Sequence, residues 1–210
     1  MPARVANRQA SDNSPRLRTP VSTVNETSQL LPLLLERLAV RGHLSIFDAG
    51  PASRHTVNFF SKFKCRLHFA DLYADPLVAD QATLTSKELG ERFTEILSFA
   101  VEPFDLCLLW DVPNYLNPRA LIAFGDALHP LVHSQTVAHG YCTFQGTQLF
   151  SPMQYGIRDP DTLAVEPRSD EIGPVHPATQ NTLVAALSFL SIVRGTLLTD
   201  GRVELFLEAA

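Results

Sequence analysis

The sequence predicts an α/β fold with a mostly parallel, doubly wound sheet, and three observations lead to it. Short apolar runs alternate with segments of helical periodicity, which is typical of parallel strands joined by crossover helices. The run Phe104–Trp110 is almost continuously apolar, as expected for a strand that is covered on both faces. Asp200 and Gly201 separate two β-rich runs near the end of the chain, which predicts a closing antiparallel β-hairpin.

The predicted helices come from apolar residues that recur on one face. We place them at about 27–40, 54–63, 86–99, 118–128 and 178–189. Thr27 or Asn25 is the candidate cap of the first helix, and Ser86 is the candidate cap of the third. The fourth helix ends before Pro130, because proline cannot continue a helix interior.

The predicted strands are the apolar runs between these helices. They lie at 44–48, 65–70, 104–110, near 136–144, at 190–198 and at 202–208. Residues 72–85 give no clear pattern. Residues 146–175 are rich in glycine and proline and contain one strand-like patch.

Composition divides the chain into a tail and one domain. Residues 1–25 are polar, contain several prolines and show no periodicity, which predicts a disordered N-terminal tail. Residues 26–210 then form one domain, since 210 residues are enough for a single core. The tail contains four arginines against one aspartate, whereas the whole chain has a net charge of −5.

The charge and the cysteines also restrict the partners and the compartment. An acidic body attracts nucleic acid poorly, so we expect no nucleic-acid partner. No apolar run approaches the roughly 18 residues that cross a bilayer, and no secretory signal opens the chain, so we expect no membrane partner. The three cysteines are widely spaced and form no metal-binding or redox pair, which favours a reducing, cytoplasmic setting.

The candidate site depends on two acids at the ends of neighbouring strands. Asp48 ends the first core strand and is followed by Gly50, whose missing side chain permits a sharp turn. Asp71 ends the next strand, 23 residues further along the chain. The carboxyl ends of such strands form the crevice in which open α/β sheets bind ligands. Both acids could instead accept hydrogen bonds from the first turn of a helix, so this reading stays open.

Asp48-Ala-Gly-Pro-Ala52 resembles the acid-x-Gly-x-Gly pattern of class I S-adenosylmethionine-dependent methyltransferases, and with the closing hairpin the resemblance spans about 26–208. It implies a Rossmann-like sheet and a cofactor site for S-adenosylmethionine. Asp48, Gly50 and Ala52 would then lie at the methionine end of the cofactor. Asp71, with Leu72 beside it, would lie where the family binds the ribose.

The same resemblance extends to the fourth strand, where Phe104–Trp110 is followed by Asp111. In the family this loop lies beside the cofactor and the substrate, which makes Asp111 a further cofactor-binding candidate. The chain departs from the family pattern at Ala52 and Arg54, where glycines are usual, and shows no third strand between Asp71 and Phe104. Asp111 could instead cap the helix that follows, and Trp110 and Tyr115 could be packing residues rather than parts of a substrate cage.

The implied function is methyl transfer from S-adenosylmethionine to an unidentified acceptor, a small molecule or a protein, with the catalytic residues unknown. The alternative is a non-catalytic binding or regulatory module with the same fold. We expect residues 146–175, with Phe150, Met153 and Tyr155, to cover the mouth of the site. A nicotinamide-binding domain would need a Gly-x-Gly-x-x-Gly fingerprint, which the chain does not have.

Three histidines are candidates for metal binding or acid–base chemistry. His129 and His133 have the spacing of helical metal ligands, but Pro130 lies between them, so we expect no metal site. His139 could act as a general base, although a hydrogen-bonded core histidine is the simpler reading.

Overall fold

The computed structural model describes residues 23–39, 41–146, 151–168 and 173–210. Its strands are β1 Val24–Thr27, β2 Leu44–Asp48, β3 Cys65–Phe69, β4 Phe104–Trp110, β5 Val132–Thr143, β6 Met153–Asp159, β7 Thr162–Pro167, β8 Leu190–Leu197 and β9 Arg202–Ala209. Its α-helices are α1 Leu31–Leu38, α2 Arg54–Phe60, α3 Pro76–Asp80, α4 Ser86–Ile96, α5 Pro118–Leu128 and α6 Gln180–Ala186.

The main sheet confirms the predicted fold class. Its six strands lie in the order β3-β2-β4-β5-β9-β8. The first four are parallel, whereas β9 pairs antiparallel with β5 and with β8. Gly201 has a φ of 88° in the turn between β8 and β9, which explains why a glycine follows Asp200 there.

Helices and a smaller sheet cover the two faces of this main sheet. Cys107 and Leu109 pack in one hydrophobic cluster with α4, α5 and α6, whereas Leu106 and Leu108 pack in a second cluster with α1 and α2. Because successive residues of a strand point to opposite faces, β4 is buried on both sides. The continuous apolar run of β4 is therefore explained by its central position.

No strand follows β3 before β4, as the sequence indicated. Residues 71–103 are all described, and their regular elements are α3 and α4 alone. β3 is consequently the edge strand of the main sheet. The ambiguous segment 72–85 contains the short helix α3, which Asp75 caps by accepting a hydrogen bond from the Leu77 N–H at 2.8 Å.

A second sheet, which we call the cap sheet, was not predicted. It contains β1, β7 and β6 in that order, and both pairings are antiparallel. The predicted tail 1–25 is therefore wrong at its end, because Val24 and Asn25 belong to β1. Residues 1–22 of that tail lie outside the described residues. The segment 146–175 contains a β-hairpin, β6 and β7, rather than one strand-like patch.

Two helix starts also differ from the predictions. The helix α1 begins at Leu31, and the Leu31 N–H donates to Ser28 Oγ at 2.9 Å, so neither Thr27 nor Asn25 is the cap. The helix α4 is capped by Thr85, whose side chain forms a reciprocal capping box with Glu88, rather than by Ser86. None of the helices in the described ranges is long and apolar enough to cross a bilayer.

Candidate functional site

Asp48 lies at the carboxyl end of β2 and is completely buried. Its Oδ1 accepts two hydrogen bonds, from the Gly50 N–H at 2.9 Å and from the Trp110 Nε1–H at 2.6 Å. Among the described residues, no donor reaches its Oδ2. Burial raises the pKa of Asp48 from its ordinary value of 3.8 to about 7, and the charge of Asp71 adds to the rise.

Asp71 follows β3 and lies beside the turn after β2. Its N–H donates to Gly50 O at 3.1 Å, and the Leu72 N–H donates to Ala49 O at 2.9 Å. The Asp71 side chain remains 38% exposed, and Arg168 Nη1 lies 3.4 Å from its Oδ1. The two predicted acids therefore meet at one end of the sheet, and only one of them is in contact with solvent.

Asp111 follows β4 and binds two tyrosine hydroxyls. The Tyr73 hydroxyl donates to Asp111 Oδ1, and the Tyr155 hydroxyl lies 3.4 Å from Asp111 Oδ2. Burial raises the pKa of Asp111 to about 6, while the Tyr73 hydrogen bond and the positive charge of Arg202 oppose this rise. The carboxyl group is consequently ionised for the most part at neutral pH.

Arg202, the first residue of β9, connects the main sheet to the cap sheet. Its Nη1 lies 3.2 Å from the Tyr155 hydroxyl, and its Nη2 lies 2.7 Å from Glu26 Oε2 in β1. Its Nε lies 2.7 Å from Asp200 Oδ2, and its guanidinium carbon lies 4.9 Å from the centroid of the Tyr141 ring, over the ring face. This one cation therefore fixes Tyr155, which projects from β6, relative to the main sheet.

Three aromatic rings form a stack across the carboxyl end of β4. The Trp110 and Tyr155 ring centroids lie 5.3 Å apart with an interplanar angle of 11°, and the Tyr155 and Tyr141 centroids lie 5.2 Å apart. All three side chains are buried. We call the region around Asp48, Gly50 and Asp71, where the resemblance to the methyltransferases would put the methyl donor, the donor crevice; the Trp110 indole lies at its Asp48 end.

The structure brings together most of the predicted cofactor residues. Hydrogen bonds link Asp48 to Gly50 and Gly50 to Asp71, and Leu72 bonds to Ala49 in the same turn. Asp111 contacts this group through the Tyr73 hydroxyl, two residues after Asp71. Ala52 does not join them. It is exposed and lines an open groove of about 470 Å³ whose other lining residues are Thr23, Ser53, Arg54, His55, Gln154 and Glu166.

Ala52 therefore lies apart from the other predicted cofactor residues, and its role in cofactor binding stays a prediction. The physical reason is that the chain turns sharply at Gly50 and then enters α2, with Ser53 as the N-cap residue. The Ser53 side chain accepts a hydrogen bond from the His55 N–H at 3.2 Å. This start of α2 leaves Ala52 on the outer side of the loop.

The helix-capping role that was the alternative for the acids is carried out by other residues. Ser53 caps α2 and Asn117 caps α5, where Asn117 Oδ1 accepts a hydrogen bond from the Ala120 N–H at 3.0 Å. Asp48 accepts a backbone hydrogen bond within the turn, and Asp111 accepts from tyrosines. Trp110 and Tyr115 are buried, as the packing alternative expects.

The histidines have structural contacts. His139 Nε2 lies 2.9 Å from Glu204 Oε1, and both side chains are buried, which confirms the core reading of His139. His129 stacks on Phe189 with centroids 4.7 Å apart, and His133 Nε2 lies 3.3 Å from Asp105. In the ranges that the structure describes, no three His, Cys, Asp or Glu residues are grouped as metal ligands.

Tyr155 does cover the end of the main sheet, as expected for the segment 146–175. Met153 lies on the same strand and packs against the cluster that contains Trp110, while Phe150 lies outside the described residues. Sequence reasoning missed Tyr73, Arg168, Arg202 and Glu26. Only Tyr73 had a usable signal, because it follows Asp71 closely in sequence.

The comparisons with known proteins support the fold. No protein-family model and no curated protein matches this chain. A S-adenosylmethionine-dependent methyltransferase from Clostridium acetobutylicum is similar in structure, with a TM-score of 0.50 at 13% identity, over 86% of this chain and 89% of that protein. DesVI from Streptomyces venezuelae gives a TM-score of 0.50 at 15% identity over 86% and 89% of the two chains.

A methyltransferase from Burkholderia thailandensis, whose crystal contains S-adenosylhomocysteine, is 16% identical and has a TM-score of 0.48 over 87% of this chain and 77% of that one. The chain thus has the fold of the class I S-adenosylmethionine-dependent methyltransferases. Sequence identity at this level supports the fold and leaves the activity to be argued from the site.

The residues of the donor crevice fit the cofactor of this fold in their chemistry. A buried carboxylate with one unpaired oxygen, Asp48, can accept from an amino group, and a half-exposed carboxylate, Asp71, can accept from a ribose diol. In the described arrangement, however, the Trp110 indole lies against Asp48. The polar groups are suitable, while the space beside Asp48 is closed by an aromatic side chain.

Proposed function

We propose that this chain is a methyltransferase that uses S-adenosylmethionine. The observation that carries the proposal is the pair of carboxylates, Asp48 and Asp71, at the ends of adjacent parallel strands around Gly50. Asp48 would bind the amino group of the cofactor and Asp71 its ribose hydroxyls, with Leu72 and Asp111 beside them. The cofactor would supply an electrophilic methyl group, so the protein mainly has to align the acceptor.

The acceptor side of the site is proposed to lie under the cap sheet. An acceptor hydroxyl or amine must lose a proton when it gains a methyl group. Asp111 is a carboxylate that is mostly ionised at neutral pH, and its oxygens already bind two hydroxyl groups. It is therefore a candidate to take up that proton. An acidic chain favours a small molecule over nucleic acid, and a protein acceptor remains an alternative.

A second candidate function is a non-catalytic binding or regulatory module with the methyltransferase fold. The observation that favours it is the complete burial of Asp48 beneath Trp110. Ala52 and Arg54, which replace the usual glycines, also agree with it. In this case the donor crevice would be a filled part of the core.

Calorimetric titration separates the two candidates. S-adenosylmethionine and S-adenosylhomocysteine are titrated into the wild type and into Asp71→Asn, with the exposed Asp80→Asn as the matched control. The first proposal expects saturable binding heat in the wild type. It expects the affinity of Asp71→Asn to be about 10- to 100-fold lower, because hydrogen bonds to a charged group are lost. Absence of wild-type heat at millimolar ligand, with the fold intact, would favour the second candidate.

A further inference from the structure

We propose that Trp110 is a plug of the donor crevice, and that a nucleoside ligand with a cationic amino-acid end enters only when the indole leaves Asp48. The inference rests on the proposed donor site and concerns how that site is controlled. It assigns to Trp110 a role that neither the fold nor the pair of acids requires.

The contacts of Trp110 place it in competition with such a ligand. Its Nε1–H donates to Asp48 Oδ1 at 2.6 Å, which is the carboxylate that the amino group of the ligand would need. A Cβ built on Gly50 would lie 3.3 Å from Trp110 Cδ1, so the indole occupies the space above the glycine. The Trp110 residue is 1% exposed.

The backbone at the crevice adopts an uncommon conformation. Trp110 has a φ of 51° and Asp71 a φ of 38°, and among the described residues these are the only two non-glycine residues with a positive φ. Such values are unfavourable for residues with a Cβ and are found where surrounding contacts impose them. Gly140 on β5 packs closely against this part of the backbone, since a Cβ there would lie 3.1 Å from Trp110 O.

The closed arrangement is also incompletely satisfied. Asp48 Oδ2 is buried and, within the described residues, has no hydrogen-bond donor. A ligand amino group would supply a donor to this carboxylate, whereas the indole has only one N–H. The closed state thus combines unfavourable backbone geometry with an unpaired oxygen, and a ligand that replaces the indole would supply the missing donor.

The stack with Tyr155 opposes this opening. Tyr155 lies parallel to Trp110 and is fixed by Arg202, so the indole is held from the side of the cap sheet. A ligand that binds only the open state has its apparent affinity reduced by the fraction of open molecules. Removal of the indole, or of the ring that holds it, should therefore increase the affinity.

The experiment uses the fact that Trp110 is the only tryptophan of the chain. Its fluorescence and acrylamide quenching report on the plug alone, and calorimetry reports on binding of S-adenosylmethionine. The variants are Trp110→Ala, measured by calorimetry, and Tyr155→Ala, which keeps the reporter if Trp110→Ala does not fold. Phe93→Ala is the matched control, since it removes a buried aromatic ring from the other hydrophobic cluster.

The proposal expects ligand to increase quenching of Trp110 in the wild type, and expects Trp110→Ala or Tyr155→Ala to bind at least about tenfold tighter than wild type. Phe93→Ala should bind like wild type. If wild type does not bind but Trp110→Ala or Tyr155→Ala does, the plug is supported and the proposed methyltransferase function fails.

Two results would overturn the plug. In the first, wild type binds without any change in Trp110 quenching and neither variant binds more tightly, so the proposed function stands alone. In the second, neither the wild type nor any folded variant binds, which overturns the plug and the proposed function together.

Discussion

The ends of β2 and β3 carry the same chemical group in opposite environments. Asp48 is completely buried, accepts two N–H groups and has a raised pKa, whereas the Asp71 side chain is 38% exposed and faces Arg168. The two ends are joined by the hydrogen bond from the Asp71 N–H to Gly50 O. The difference therefore arises from what covers each end rather than from the strands themselves.

The cover of the β2 end comes from residues far away in sequence. Trp110 is the last residue of β4, Tyr155 belongs to β6 and Arg202 is the first residue of β9. The β3 end is an edge, because β3 is the last strand of the main sheet. A carboxylate at the end of a strand can thus be buried or accessible, depending on long-range packing. Substitutions in the residues that cover Asp48 should therefore alter the environment of Asp48 and leave that of Asp71 unchanged.

The largest effect is expected for Arg202→Met, which removes the cation that joins the cap sheet to the main sheet. Glu26 and the Tyr155 hydroxyl each lose one partner, so we expect stability to fall by about 3 kcal/mol, at the low end for breaking an ion pair that is mostly buried. Urea unfolding measures it, with the exposed Arg194→Met as control. A loss below about 1 kcal/mol would show that Arg202 does not anchor the cover.

A smaller effect is expected for Gly156→Ala on β6. An added Cβ would overlap Ser53 Oγ and lie 3.2 Å from His55 Cβ, so β6 must move away from the start of α2. We expect a loss of about 2 kcal/mol, typical of overpacking, together with stronger acrylamide quenching of Trp110. Gly42→Ala is the control, because a Cβ there meets no atom within 4 Å. Unchanged quenching would mean that β6 does not seal the β2 end.

Local sequence signals predicted the main sheet well. The apolar runs of β2 and β4 were placed at their observed bounds, as was α5, and the hairpin turn was placed at Asp200 and Gly201. In each case the signal is local: burial on both faces, helical periodicity with a proline boundary, or a glycine in a tight turn. The ends of the predicted strands then placed Asp48 and Asp71 at the same edge.

The cap sheet could not be predicted in the same way. β1 has four residues, of which Val24 is exposed, and its pairing with β7 spans more than a hundred residues of sequence. The burial of Asp48 depends on this sheet through Tyr155. No local sequence pattern indicates the enclosure of the Asp48 carboxylate or the role of Arg202. The two acids could therefore be predicted from the sequence, whereas the residues that cover Asp48 could not.

The next prediction uses the raised pKa of Asp48. Because the folded state binds a proton that the unfolded state releases above pH 3.8, the contribution of Asp48 to stability falls as the pH rises from about 4 to 7. Asp48→Asn removes this loss but introduces an amide N–H without a partner. We therefore expect it to be more stable than wild type by about 1 kcal/mol at pH 8, and equal or less stable at pH 4.

Urea unfolding at several pH values tests this prediction. Asp111 has a pKa raised in the same direction, so a slope in the wild type alone is not decisive. The decisive quantity is the difference between Asp48→Asn and wild type, with Asp80→Asn as the exposed control. A difference that does not vary between pH 4 and 8 would contradict a raised pKa of Asp48.

The smallest effect is expected for Asp71→Asn, and it tests whether the two ends interact. Asparagine is well tolerated at positive φ, so stability should change by less than about 0.5 kcal/mol. The negative charge of Asp71 contributes to the raised pKa of Asp48, and its removal should lower that pKa by less than about one pH unit. The pH dependence of Trp110 fluorescence reports the midpoint, since the indole N–H binds Asp48 directly. An unchanged or higher midpoint would mean that the charge of Asp71 does not affect the pKa of Asp48. The two acids would then not form one site.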